Sequence, residues 1–410
     1  MRYLRTMAVA VALGLVLGAC SSSSGDSGTA VAVSPTPGAG TPPPPADDMP
    51  MTPPDDGEVP PPDDGGTPPP DDGEAPPAAT SALLVLGDSL SDVGNAAAVF
   101  DYLLSLPIHP PTVGLCNPAD VLVVPRPCDD LFYRQSRVSD GATAVEHVAA
   151  HLGLDELAPS LHLLPDRPGA GTNYAVSSAK AGSQGDEDLS RQVDMLLLDY
   201  GLQLPADALY VVMIGGNDAI DALQAAVSGA PNAAATSAAI VTEAVAGVAA
   251  NLGRLIDYGA RRIVVANVPD LASLPGVRAR AAETEDEAAV LAAASAISEA
   301  FDGELDALLD GIESERQSLA PVPLMLVRFD LRAALQAAQD TAAAGGGNGL
   351  DACFDSDAYR QSQTAERVFH PDCAPGAGET PRFGNFVFWD GIHPTGAAHA
   401  AIAAALIELL

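Results

Sequence analysis

From about residue 81 the chain alternates short apolar runs with longer stretches of helical periodicity. Short apolar runs that end at glycine or polar residues are typical of buried parallel strands. The runs that predict strands are 83–87, 171–178, 208–214, 262–267 and 323–329. The segments with a helical period are 137–154, 188–200, 234–258, 281–311 and 395–410. This alternation predicts an α/β fold with a doubly wound, five-stranded parallel sheet between helices.

Residues able to carry chemistry follow two of the predicted strands. Ser89 comes directly after the first run, in Gly-Asp-Ser, and Asn217 follows two glycines after the third. The carboxyl ends of parallel strands are where doubly wound sheets bind their ligands. Ser89 has an alternative role as the N-cap of the next helix, and Asn217 has one as a turn residue. Their common position at the sheet edge favours a functional role for both.

A third group lies just before the last predicted helix, where Asp390 precedes His393 by three residues. Ester hydrolysis by a serine needs a base for the hydroxyl proton and fixed donors for the oxyanion. Asp390 is close enough in sequence to hold the Nδ1 proton of His393. We therefore predict Ser89, His393 and Asp390 as nucleophile, base and orienting acid. The predicted oxyanion donors are the backbone N–H of Ser89, the side chain of Asn217 and a backbone N–H after the second strand.

Four separated blocks of the sequence resemble the GDSL, or SGNH, family of serine esterases and lipases. They are Gly87-Asp88-Ser89-Leu90-Ser91-Asp92-Val93-Gly94-Asn95, Asn173-Tyr174-Ala175-Val176-Ser177-Ser178-Ala179, Gly215-Gly216-Asn217-Asp218 and Asp390-Gly391-Ile392-His393-Pro394. The resemblance spans about residues 82–410 and implies a flavodoxin-like SGNH-hydrolase fold. It also implies the same catalytic roles for Ser89, Asp390 and His393, with Asn217 in the oxyanion hole. The expected mechanism passes through an acyl-enzyme and needs no metal or cofactor.

The second block departs from the family pattern, which has a glycine where this chain has Ser177-Ser178. The glycine contributes its backbone N–H to the oxyanion hole, and a serine has the same group. Its Cβ, however, restricts the backbone conformations that the residue adopts easily. We expect Ser178 to be the donor, with Ser177 as the alternative.

The N-terminal 19 residues have the features of an export signal. Arg2 and Arg5 precede an apolar run over 8–17, which is too short to span a membrane. The following Leu-Gly-Ala-Cys resembles a bacterial lipoprotein signal, which implies cleavage before Cys20 and a lipid on that cysteine. Ser21 resembles the residue found in proteins sent to the outer membrane. The alternative is ordinary secretion with a free Cys20.

Residues 20–80 differ sharply in composition from the rest of the chain. They contain no aromatic residue, and Pro-Pro-Asp-Asp-Gly recurs at 53–57, 61–65 and 69–73. Such a segment cannot build a core, and it predicts a disordered, extended tether. The predicted organisation is therefore a signal peptide at 1–19, a tether at 20–80 and a hydrolase domain at 81–410.

The formal net charge is −35, from 54 acidic and 19 basic residues, and no Lys or Arg occurs between Arg5 and Arg126. This charge excludes nucleic acid as an expected partner. It also argues against adhesion to anionic lipid, so we expect membrane association to depend on Cys20. The sequence does not indicate an oligomeric state.

Five cysteines divide into Cys20 and four others, and in an exported chain four cysteines suggest two disulfides. Three pairings are possible. We favour Cys116 with Cys128 and Cys353 with Cys373, because each pair brackets an insertion rich in Pro, Gly and Asp. The sequence contains no Cys-x-x-Cys pair, so it does not predict a zinc site. His147 and His151 have a spacing that suits a metal but no third ligand, so no metal is predicted.

The leading hypothesis is an exported, lipid-anchored serine esterase or lipase that acts on a small ester or lipid. The alternatives are a phospholipase or lysophospholipase, and a polysaccharide O-deacetylase. A further alternative of another class is a non-catalytic surface binding protein on a degenerate hydrolase fold. The Ser177-Ser178 departure favours that last hypothesis slightly, while the presence of Ser89, Asp390 and His393 argues against it.

Overall fold

The structure is a computed structural model, and it describes residues 80–105, 137–166, 171–316, 322–354, 369–374 and 381–410. The predicted signal peptide and residues 20–79 of the predicted tether, with Cys20, lie outside these residues. Cys116 and Cys128 lie outside them as well.

A four-stranded parallel sheet forms the centre of the fold. Its strands are β1 (Leu83–Gly87), β2 (Leu209–Met213), β3 (Arg262–Ala266) and β4 (Met325–Phe329), in the order β1-β2-β3-β4. Every residue of β1 and β2 is buried. Strands covered on both faces have near-continuous apolar sequences, which is why these runs stood out in the sequence.

The predicted fifth strand, 171–178, is irregular in the structure, where Asn173 forms isolated bridges to Val85 and to Pro159. It still runs parallel to β1, because Tyr174 donates its N–H to Val85 O at 2.7 Å and Val176 donates to Gly87 O at 3.1 Å. Gly87 donates its N–H to Gln192 Oε1 at 2.9 Å and not to this segment, so the regular parallel ladder is interrupted there. The predicted α/β fold is confirmed, with an irregular fifth member beside β1.

Two groups of helices flank the sheet. The helices are α1 (Asn95–Ser105), α2 (Ala144–His151), α3 (Leu189–Asp199), α4 (Gly216–Ala226), α5 (Ala233–Asp257), α6 (Pro275–Ala282), α7 (Glu287–Arg316), α8 (Leu331–Ala344) and α9 (Gly396–Ile407). Helices α3, α4, α5 and α7 pack together, and α9 packs against both α2 and α8. The predicted helix at 281–311 is two helices, because Asp286 accepts the N–H of Ala289 and begins α7 anew.

Helix α5 has the length and apolar composition of a membrane-spanning helix. In the structure it packs against α3, α4 and α7. Its buried side chains recur with a helical period and include Val241, Val245, Val248 and Leu252. The apolar stripe of α5 is therefore accounted for as part of the core.

A second, small parallel sheet was not predicted. It pairs β5 (Asn348–Ala352) with β6 (Phe386–Phe388). Cys353 and Cys373 form a disulfide beside it, with their Cα atoms 5.4 Å apart, which is the pairing favoured from the sequence. Both cysteines are buried in an apolar cluster with Trp389. The residues that follow β6 carry the predicted acid and base.

Candidate active site

The structure brings Ser89, His393 and Asp390 together in a hydrogen-bonded chain. His393 Nε2 lies 2.8 Å from Ser89 Oγ. On the other side of the ring, His393 Nδ1 lies 2.9 Å from Asp390 Oδ1 and 3.0 Å from Oδ2. A carboxylate on Nδ1 leaves Nε2 as the basic nitrogen that faces the hydroxyl. The arrangement is that of a nucleophile, a base and an orienting acid.

Ser89 lies on a tight turn that leaves β1. The carbonyl of Asp88 accepts the N–H groups of Ser91 and Asp92, at 3.1 and 3.0 Å. Asp88 Oδ1 also accepts the N–H of Leu90. At Gly87 an added Cβ would lie 2.4 Å from Met213 O, so only glycine allows β1 and β2 to approach this closely before the turn.

Asp390 is held by its own turn. Its Oδ1 accepts the N–H groups of Ile392 and His393, each at 2.8 Å. Although burial acts in the opposite direction, the charge of His393 and these hydrogen bonds lower the pKa of Asp390. The cap of α9 is Thr395, whose Oγ1 accepts the N–H of Ala398 at 3.2 Å. Asp390 is therefore not the N-cap of α9.

Asn217 lies in the first turn of α4 and lines the same cleft as Ser89. Its Nδ2 donates one hydrogen bond to Ala179 O at 3.0 Å. The preceding Gly215 has φ 119°, and an added Cβ would lie 2.4 Å from the ring of Phe301. Glycine at this position lets α4 begin close to the sheet edge, with its positive end beside the site.

The structure distinguishes the two serines of the second block. Ser177 donates its N–H and its hydroxyl to Asp92 Oδ2, at 2.8 and 3.0 Å. Ser178 has φ 71°, and within the described residues its N–H has no acceptor. Val176 donates its N–H to Gly87 O, and Ser178 and Ser89 each lie two residues beyond this pair along their parallel segments. The geometry therefore favours Ser178 over Ser177 as an oxyanion donor, although Ser178 does not line the cleft itself.

A mostly apolar cleft opens beside Ser89. Its empty volume is about 620 Å³ including the space at its mouth. The apolar side chains that line it include Ile214, Val268, Leu274, Leu335, Ile392 and Ile402. The polar side chain of Asn267 also reaches the cleft, but it donates to Asp330 Oδ1 at 2.9 Å. The wall beside the nucleophile is thus suited to an apolar group.

Two aspartates that support these turns, Asp88 and Asp218, were not among the predicted site residues. Asp88 is buried beside Ser89, and burial raises its pKa to about 7. Asp218 accepts the N–H groups of Ala181 and Gly182, which joins α4 to the loop after Ser178. Both lie next to a residue that was singled out. A short acidic side chain beside a predicted site residue was the signal available in the sequence.

In the parts of the chain that the structure describes, no group of three or more His, Cys, Asp or Glu side chains is arranged to hold a metal ion. His147 and His151 lie on α2.

A family model described as GDSL-like Lipase/Acylhydrolase matches residues 83–406. The chain belongs to this family. Its carboxylic ester hydrolase activity follows from that membership. All four sequence blocks fall within the matched range, including the first at 87–95 and the last at 390–394.

Among solved structures, the chain is similar to a catalytic mutant of Axe2, an acetylxylan esterase from Geobacillus stearothermophilus. The two share 14% sequence identity, and the match covers 81% of this chain and 95% of the other, with a TM-score of 0.32. A likeness of this size supports no argument about substrate. A search of curated proteins found no match.

Proposed function

We propose that this GDSL-family hydrolase is a serine esterase or lipase that prefers esters of apolar acyl groups. The observation that carries the proposal is the apolar cleft that opens beside Ser89. A longer acyl chain would bury more apolar surface against this lining than an acetyl group would, at about 25 cal/mol per Å². The cleft therefore favours a lipid-like ester over an acetylated polysaccharide.

In the proposed mechanism Ser89 Oγ attacks the ester carbonyl carbon while His393 Nε2 takes the hydroxyl proton. The oxyanion of the tetrahedral intermediate accepts the N–H groups of Ser89 and Ser178 and the amide of Asn217. His393 then gives its proton to the leaving alcohol as the C–O bond breaks, which leaves an acyl-enzyme. Water attacks that ester with His393 as base, and the acid is released with Ser89 restored. Asp390 holds the imidazole throughout.

The test is turnover of p-nitrophenyl esters by the full chain, with acyl chains from two to twelve carbons. We expect kcat/KM to be higher for chains of six to eight carbons than for acetate, and Ser89→Ala to lower it by at least 10³-fold. Absence of turnover by the wild-type chain would contradict the hydrolase assignment. A preference for acetate would instead favour the deacetylase alternative, and strong turnover of lysophospholipid would favour the phospholipase alternative.

We also propose that the chain is exported and carries a lipid on Cys20, with residues 20–80 as a tether to the bacterial outer membrane and 81–410 as the hydrolase domain. The Leu-Gly-Ala-Cys motif supports this proposal. A disulfide between Cys353 and Cys373 is compatible with an oxidising compartment. Cys20→Ala should move the protein from the membrane fraction to the soluble fraction. Unchanged fractionation would show that Cys20 is not the anchor.

A further inference from the structure

The role of one buried carboxylate, that of Asp92, extends beyond its own turn. Asp92 is 1% exposed. Its Oδ1 accepts the N–H groups of Gly94 and Asn95, at 2.8 and 2.7 Å, where α1 begins. Its Oδ2 accepts both the N–H and the hydroxyl of Ser177. A single side chain thus connects the nucleophile's turn to the loop that carries Ser178.

Ser178 needs such a connection because of its backbone conformation. Its φ of 71° is in the left-handed region. This region costs a residue with a Cβ roughly 1–2 kcal/mol and persists only where neighbouring contacts enforce it. The contacts exist on both sides: Asp92 holds Ser177, and Asn217 donates to the carbonyl of Ala179. The direction of the Ser178 N–H is set by the residues on either side of it.

We propose that Asp92 is a positioning residue of the oxyanion hole, which keeps the N–H of Ser178 directed at the developing oxyanion by holding both donors of Ser177. The inference rests on the proposed function. Without this hold, Ser178 relaxes toward negative φ, and its N–H turns away from the substrate oxygen. The hole then loses one of its three donors. Loss of a donor typically costs 10²- to 10³-fold in kcat.

A purely structural role predicts something different. If Asp92 only capped α1, its replacement would lower stability and leave kcat per folded molecule unchanged. A second substitution separates the two roles. Glycine at position 178 adopts positive φ without the Cβ penalty, so Ser178→Gly should restore activity only if the conformation of residue 178 is what Asp92 controls.

The matched control is Asp188, which is 3% exposed. It accepts the N–H groups of Lys180 and Gly185 and the hydroxyl of Ser183, at 2.8, 2.6 and 2.6 Å. It therefore stabilises the same loop and precedes α3, but it does not contact Ser177. Asp188→Asn therefore weakens this loop but leaves the two hydrogen bonds between Asp92 and Ser177 in place.

The experiment measures kcat, KM and thermal stability on p-nitrophenyl butyrate with the full chain. For Asp92→Asn we expect kcat to fall by 10- to 100-fold with KM within about threefold, because the donor acts mainly in the transition state. Asp188→Asn should keep kcat within about threefold at a similar loss of stability. Adding Ser178→Gly to Asp92→Asn should recover about tenfold in kcat. Equal kcat losses in the two Asn variants, or no recovery by glycine, would overturn the inference.

If Asp92→Asn does not fold, Ser177→Ala replaces it. This variant removes only the hydroxyl bond to Asp92, and we expect a fall in kcat of about three- to tenfold with recovery on addition of Ser178→Gly. No change in kcat would overturn the inference. The outcome is separable from failure of the proposed function, because a wild-type chain without Ser89-dependent turnover contradicts the function itself. Normal wild-type turnover with unaffected variants contradicts only the role of Asp92.

Discussion

The turns that carry Ser89 and His393 meet at one site but pack against different parts of the molecule. The serine turn continues β1, a strand buried in the middle of the main core. The histidine turn follows β6 of the small sheet, where Trp389 donates its N–H to the carbonyl of His393 at 2.8 Å. Phe386 of β6 belongs to a smaller, satellite cluster of apolar residues around the Cys353–Cys373 disulfide, whereas Val387 and Phe388 pack into the main core. The serine turn therefore depends on the main core, and the histidine turn depends on both the main core and this satellite.

The two turns also contain buried aspartates with opposite electrostatics. Asp390 faces His393 and accepts two backbone N–H groups, so its pKa is lowered despite burial. Asp88 accepts the N–H of Leu90 and lies near Asp218, and burial raises its pKa to about 7. A carboxyl near an active-site serine is thus not necessarily an acid of the catalytic chain. Its hydrogen-bond partners decide its role.

The largest expected effect is on the histidine side. Asp390→Asn replaces the carboxylate that holds Nδ1, and an amide can donate to that nitrogen and stabilise the wrong tautomer. We expect kcat to fall by about 10³- to 10⁴-fold with little change in circular dichroism. Asp286→Asn is the control, because Asp286 also accepts a backbone N–H at a turn but begins α7. A loss below tenfold for Asp390→Asn would show that this carboxylate is dispensable.

Removal of the disulfide tests whether the satellite unfolds separately. The Cys353→Ala and Cys373→Ala double variant should lose about 3 kcal/mol, as for a disulfide with a sequence separation of 20. We expect esterase activity to disappear at a lower urea concentration than the far-ultraviolet signal of the main core.

Leu196→Ala is the control for that experiment. Leu196 is fully buried on α3 in the main core. Its truncation should cost about 2–5 kcal/mol and move both transitions together. If the disulfide variant also loses activity and helical signal in a single transition, the satellite cluster and the main core unfold as one cooperative unit.

The remaining prediction concerns the pH dependence of stability on the serine side. A carboxyl whose folded pKa is raised binds more protons in the folded state, so its contribution to stability is lost as pH rises from about 4 to 7. The shift at Asp88, from 3.8 to about 7, corresponds to roughly 4 kcal/mol at about 1.4 kcal/mol per pKa unit. Asp88→Asn should therefore gain melting temperature relative to wild type as pH rises through this range. A difference that stays constant from pH 4 to 7.5 would contradict the raised pKa.

The sequence predicted the main sheet well because its strands are buried on both faces. Continuous apolar runs such as 83–87 and 208–214 report burial directly. The irregular segment at 171–178 was harder, since the side chain of Gln192, from a distant helix, accepts the Gly87 N–H that a regular ladder would use. The small sheet escaped prediction because β5, Asn348–Ala352, contains no continuous apolar run and pairs only with the three-residue β6.

The sequence by itself determined which residue types are present at the ends of the predicted strands, and hence Ser89, Asn217 and the Asp390–His393 pair. Each of these assignments depends on residues that are close together in the sequence, and a short motif contains them all. Only the tertiary structure decided how the turns are held together. Asp92 and Ser177 are 85 residues apart, and the residues on either side of Ser178 are bonded to side chains from two other segments. Such contacts leave no periodic pattern in the sequence, because each is a single hydrogen bond made across the fold.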